Sequence, residues 1–81
     1  MSYSVYILQC ADDTLYTGIA TDVDRRLTEH NSPEKGAKYT RSRRPVRLVY
    51  REPFPDRSSA SRREYEIKKL SRGKKLQLIR G

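Results

Sequence analysis

The sequence predicts an α+β fold, a small three-stranded antiparallel sheet flanked by helices in the order β-β-α-β-α-α. Three observations predict it. Two short runs rich in β-forming residues, at 5–8 and 15–19, flank a polar turn, Ala11-Asp12-Asp13-Thr14. After Gly18 the apolar spacing changes from strand-like to helical. A third β-rich run at 46–52 precedes a long stretch whose apolar residues recur at helical spacing.

The first two runs, Val5-Tyr6-Ile7-Leu8 and Leu15-Tyr16-Thr17-Gly18-Ile19, read as the arms of a hairpin because Asp-rich turn residues join them. Side chains alternate faces along a strand. Tyr6 and Tyr16 therefore meet diagonally on one face under one condition of register, which the sequence leaves open. Thr21 or Asp22 can cap a helix running to about Asn31. Val23 and Leu27, four apart, form its apolar stripe, and Arg26 and His30, also four apart, flank that stripe. Hairpin and helix can thus gather two phenols, a guanidinium and an imidazole around one patch.

Residues 32–45 are punctuated by Pro33, Gly36 and Pro45, lack apolar periodicity, and are expected to form a loop. Five of these 14 residues are basic: Lys35, Lys38, Arg41, Arg43 and Arg44. Gly36, Lys38 and Thr40 offer amide, ammonium and hydroxyl donors to a phosphate, without the spacing of a P-loop. Tyr39 can stack on a base, serve as a third phenol at the site, or fold its ring over a thin core.

Residues 46–52 read as the third strand, with Leu48 and Tyr50 on one face and Arg47, Val49 and Arg51 on the other. Pro53 and Pro55 are expected to end it, and Phe54 to pack inward. A helix is expected from Asp56 or Ser58 to about Arg72, with Gly73 as its stop. Ala60, Ile67 and Leu70 mark its apolar stripe, and Glu64, four after Ala60 and three before Ile67, falls on the inward face. Burying an unpaired charge is costly. A metal ion, an ion pair with Arg26 or another arginine, or a place at the rim of the stripe would each account for this carboxylate. In the tail Leu76, Leu78 and Ile79 form a short packing segment, and Lys74, Lys75 and Arg80 extend a basic face.

The 81 residues predict one domain spanning 1–81, with a thin core, since only 35% are hydrophobic. Net charge is +8 and unevenly placed. Residues 1–34 carry 2 basic and 6 acidic groups, net −4, whereas residues 35–81 carry 16 and 4, net +12. That asymmetry is the footprint of a polyanion binder. Cys10 is the only cysteine, which excludes an internal disulfide and a cysteine zinc site, and it reads as a buried structural thiol. No signal peptide and no membrane span are evident, so a cytoplasmic protein without membrane partners is expected.

The order and spacing of these motifs resemble the GIY-YIG nuclease family. Its first element corresponds to Val5-Tyr6-Ile7 and its second to Tyr16-Thr17-Gly18. Its helical arginine corresponds to Arg26, accompanied by His30, and its metal-binding glutamate to Glu64. The run Gly-Ala-Lys-Tyr-Thr-Arg at 36–41 is similar to that of the small stand-alone members. The resemblance covers nearly the whole chain. It implies the sheet-and-helix fold above and a Mg²⁺- or Mn²⁺-dependent endonuclease acting on DNA in repair or recombination. It also implies catalytic residues Tyr6, Tyr16, Arg26, His30 and Glu64, with Glu64 as the metal ligand. The asparagine that many members carry late in the domain has no counterpart here, where the tail offers only Gln77.

The residue chemistry suits that reading. Arg26 can fork two hydrogen bonds onto phosphate oxygens, and Glu64 can hold one Mg²⁺. The base is His30 or a tyrosine, the latter only if positive charge lowers its pKa. Gly18 allows a close backbone approach or a sharp turn. Lys35, Lys38, Tyr39, Thr40, Arg41, Arg43 and Arg44 are the candidate nucleic-acid contacts. No zinc finger or helix-turn-helix is present to read bases, so branched or single-stranded DNA is expected over a defined sequence, with RNA left open. Two rivals remain: a non-catalytic nucleic-acid-binding module on the same scaffold, and a helper subunit marked by an exposed apolar patch.

Overall fold

The hairpin turns where its aspartates predict. In a computed structural model describing residues 2–32, 40 and 42–81, β1 (Tyr3–Gln9) and β2 (Leu15–Ala20) pair antiparallel around it. Asp12 Oδ1 accepts hydrogen bonds from the Thr14 amide (3.2 Å) and hydroxyl (2.6 Å). Asp13 adopts φ 71°, a left-handed conformation that aspartate tolerates better than most residues. The register sets Tyr6 opposite Gly18 and Leu8 opposite Tyr16. The two tyrosines are therefore diagonal neighbours on one face, which meets the condition left open above.

β3 (Arg47–Phe54) pairs antiparallel with the other side of β1, giving the sheet order β2-β1-β3. The ladder shifts register between Ile7, opposite Tyr50, and Leu8, opposite Leu48, so Val49 is an extra residue on β3. That bulge corrects the expected alternation. Leu48 packs with Tyr6 and Leu8 on one face, while Val49 and Tyr50 pack with Val5 and Ile7 on the other. Pro53 does not end the strand. It sits within β3 opposite Ser4, and an edge strand tolerates the missing amide donor.

α1 (Val23–His30) is capped by Asp22, whose Oδ1 accepts from the Arg25 amide at 3.0 Å. Its Val23 and Leu27 cover the face holding Tyr6, Leu8, Cys10 and Val46. Asn31 fastens the helix end to the strand leading into β3. Its amide nitrogen donates to the Val46 carbonyl (3.0 Å) and its oxygen accepts from the Val46 amide (2.7 Å).

The opposite face is covered by α2 (Arg57–Lys68) and α3 (Arg72–Arg80), through Ala60, Ile67, Leu78 and Ile79 against Val5 and Ile7. The helix expected to reach Arg72 ends earlier, and the short last helix begins at Arg72. α2 stops at Lys69, whose amide donates to the Glu66 carbonyl, and Ser71 caps α3 by accepting from the Lys74 amide at 3.3 Å. Gly73 is not the stop: it lies in the first turn of α3, and the serine cap outweighs it as a boundary signal. The α+β class and the β-β-α-β-α-α order stand. No helix among the described residues is long and apolar enough to cross a membrane.

Candidate active site

Tyr6 is the centre of the site, and β1 holds it rigidly: it is 2% exposed. Its ring lies across Gly18 on the neighbouring strand. A Cβ built at position 18 would stand 2.7 Å from the Tyr6 hydroxyl oxygen and 2.8 Å from Cζ. The glycine is therefore needed for close approach and not for a turn. Gly18→Ala is expected to cost about 1–3 kcal/mol, the usual penalty of overpacking. A lowered urea midpoint would report it, and an unchanged midpoint would show that the ring does not lie there.

α1 brings His30 to the same phenol. The Tyr6 hydroxyl and His30 Nε2 are 2.9 Å apart, and the Tyr16 ring meets the imidazole edge-on with centroids 5.1 Å apart. His30 is 0% exposed, so it is no solvated helix cap. Its other nitrogen, Nδ1, lies 3.0 Å from Thr40 Oγ1, and Thr40 is also 0% exposed. The sequence suggests that Thr40 contacts a phosphate; in the structure its hydroxyl is turned inward, against the imidazole. Arg26, one turn before His30, donates from Nη1 to Glu29 Oε1 at 2.9 Å, and its positive charge acts on the Tyr6 phenol.

The electrostatics follow from burial. Desolvation first, then the Tyr16 phenol, pushes the Tyr6 pKa up to about 12, against the opposing Arg26 cation. Glu64 adds to the rise, so its carboxylate acts on the same phenol. Burial, reinforced by Arg26 and opposed by Glu29, pushes His30 down to about 4. At neutral pH the pair is a neutral phenol against a neutral imidazole. A depressed histidine pKa contributes stability that is fully present above the unfolded value near ~6.5 and lost as pH falls toward the folded one. Unfolding free energy should therefore drop by about 1 kcal/mol between pH 6.5 and 5.5, measured by urea denaturation. No drop in that window would contradict a buried neutral His30.

Glu64 projects from α2 with its side chain 23% exposed and pairs with Lys68 at 3.2 Å. The pairing is with Lys68, one helical turn on, and not with Arg26. Among the described residues no group of three or more His, Cys, Asp and Glu could hold a metal ion. Among the described residues Glu64 and Glu29 are both carboxylates whose charge reaches the Tyr6–His30 pair, and Glu29 is engaged with Arg25 and Arg26. One carboxylate, Glu64, fits Mg²⁺, which takes one or two carboxylates and fills its shell with water and phosphate.

Of the basic loop, Arg43 ion-pairs with Asp12 at 2.9 Å and Arg44 is half-buried. Lys35, Lys38, Tyr39 and Arg41 lie outside the described residues. Sequence reasoning missed Glu29, which orients Arg26. Its spacing, three after Arg26 and four after Arg25, was the available signal.

The model of the GIY-YIG catalytic domain matches residues 2–77. The chain belongs to the GIY-YIG family. A UPF0213 protein of Desulfotalea psychrophila is 65% identical over 79 residues, covering 98% of this chain and 72% of that protein. A UPF0213 protein of Natronomonas pharaonis is 59% identical over 75 residues, covering 93% and 87%. The solution NMR structure of a UPF0213 protein from Bacillus halodurans superposes with TM-score 0.62 at 57% identity, covering 98% of this chain and 83% of that one. An NMR structure of a protein from E. faecalis gives 0.67 at 45% identity, covering 99% and 84%. GIY-YIG domains are generally endonucleases and typically use divalent metals, which implies a nucleic-acid substrate in general.

Proposed function

We propose that this GIY-YIG domain is a metal-dependent DNA endonuclease, selective for structure over sequence, that serves repair or recombination. The observation that carries the reading is the 2.9 Å Tyr6–His30 hydrogen bond, with the Arg26 cation acting on the same phenol. Phosphodiester hydrolysis needs an activated water, a proton acceptor, neutralisation of phosphorane charge and help for the leaving oxygen. Tyr6 at about 12 holds its proton at neutral pH, so a preformed phenolate is not the base. The phenol instead takes a proton from water as it passes its own to neutral His30. Tyr16 lines the same face. Arg26 stays charged, and its guanidinium N–H groups suit phosphate oxygens.

Glu64 is the residue that would hold a divalent ion, Mg²⁺ or Mn²⁺, with solvent-exposed Lys68 free to swing aside. When bound there, the ion supplies charge to the phosphate and stabilises the leaving 3′ oxygen. Arg57, Arg62, Lys69, Lys74 and Arg80 are exposed on α2 and α3, suited to reading phosphates without base specificity. Tyr65, 62% exposed beneath Lys69, is the one large apolar side chain exposed among the described residues, which gives a helper-subunit reading little surface.

Cleavage of matched branched, single-stranded and duplex DNAs, with an RNA of the same sequence, tests the reading. Preferential cutting of a branched or single-stranded DNA supports it. Binding that weakens with salt but yields no product with any metal would leave the non-catalytic module.

A further inference from the structure

Tyr6, His30 and Thr40 form one buried chain of hydrogen bonds, and neutral imidazole imposes a rule on it. The ring has one N–H donor and one lone-pair acceptor. Of the two hydroxyls flanking it, one must donate and the other accept. Both His30 and Thr40 are 0% exposed, so no solvent water substitutes for either partner.

The direction follows from the partners. Arg26 can only donate, so the cation beside Tyr6 favours a phenol lone pair facing it and leaves the phenol proton for His30. A phenol is also a far stronger acid than an aliphatic alcohol, hence the better donor to a nitrogen lone pair. Threonine oxygen is the better acceptor. The phenol then donates to Nε2 across 2.9 Å, and Nδ1–H donates to Thr40 Oγ1 across 3.0 Å.

We infer that Thr40 is a positioning residue: its hydroxyl holds His30 in the Nδ1–H tautomer, leaving Nε2 bare to receive the Tyr6 proton. Its part in turnover rests on the nuclease reading above; the tautomer itself does not. With the opposite tautomer, Nε2–H would point at the phenol oxygen, and Tyr6 could not pass on the proton it takes from water. Thr40 acts through His30.

The test is ¹⁵N NMR of the His30 imidazole at neutral pH, without nucleic acid, in wild type, Thr40→Ser and Thr40→Val, with steady-state nicking by all three. The Nδ1–H form is expected in wild type and Thr40→Ser. Thr40→Val should lose that preference and drop kcat about 10- to 100-fold with KM little changed, the scale on which partners of functional histidines act. Thr40→Ser should restore most of kcat. An Nε2–H wild type, or a Thr40→Val that keeps both the Nδ1–H form and wild-type kcat, would overturn the inference. If Thr40→Val fails to fold, the wild-type tautomer and Thr40→Ser still decide it. An Nδ1–H wild type that never nicks DNA would sink the nuclease reading and leave the tautomer assignment supported.

Discussion

Glu64→Ala should abolish nicking of supercoiled plasmid DNA, lowering the rate by at least about 10³-fold, while the protein stays folded and still binds. The size follows from the chemistry: a divalent ion stabilises transition-state charge by several kcal/mol, and each ~1.4 kcal/mol is tenfold in rate. Glu29, another carboxylate whose charge reaches the site, is held by Arg25 and Arg26 and is not placed to take over the role of Glu64. The structural cost is small. The side chain is partly exposed, and its pairing with Lys68, four residues on, is worth about 0.3–0.5 kcal/mol. Affinity should hold or rise, because a negative charge leaves a phosphate-binding face. Unfolding midpoints and fluorescence anisotropy would establish both controls.

Tyr6→Phe should lower kcat by about 10²- to 10⁴-fold, the usual contribution of a positioned proton-transfer group. The ring stays and only the hydroxyl goes, so packing over Gly18 survives. Nε2 of His30 loses its partner inside a closed site, which should cost about 1–3 kcal/mol of stability. Activity must therefore be compared below the unfolding transition of the variant. Single-turnover cleavage at saturating DNA separates the chemical step from binding. A Tyr6→Phe enzyme with wild-type single-turnover rates would remove the phenol from the proton path.

The fold was legible where one signal dominated. Runs of β-forming residues and an Asp-rich turn specify the hairpin, and Asp22 and Asp56 cap the helices expected at those positions. The misreadings arose where two signals competed. Gly73 resembles a helix stop, but Ser71 two residues earlier caps a new helix. Strict alternation put Leu48 and Tyr50 together, and the bulge at Val49 parts them through pairing geometry that strand composition does not encode.

The candidate site was legible in its residues and not in its wiring. Tyr6, Tyr16, Arg26 and His30 converge because the register and the cap of α1 leave little freedom. The Tyr6–His30 contact spans 24 positions, and the Thr40–His30 contact links α1 to a segment without apolar periodicity. A threonine among basic residues reads as a phosphate donor, and only packing turns it inward. His30 likewise reads as a candidate base, and only packing shows it buried and held neutral.

The most direct test of the account is incubation of supercoiled plasmid with wild-type protein in Mg²⁺ or Mn²⁺, repeated with chelator and with Glu64→Ala and Arg26→Ala. The account predicts metal-dependent open-circular product that chelator and both substitutions remove. Nicking that persists in Glu64→Ala, or salt-sensitive binding with no nicking by wild type in any metal, would contradict it.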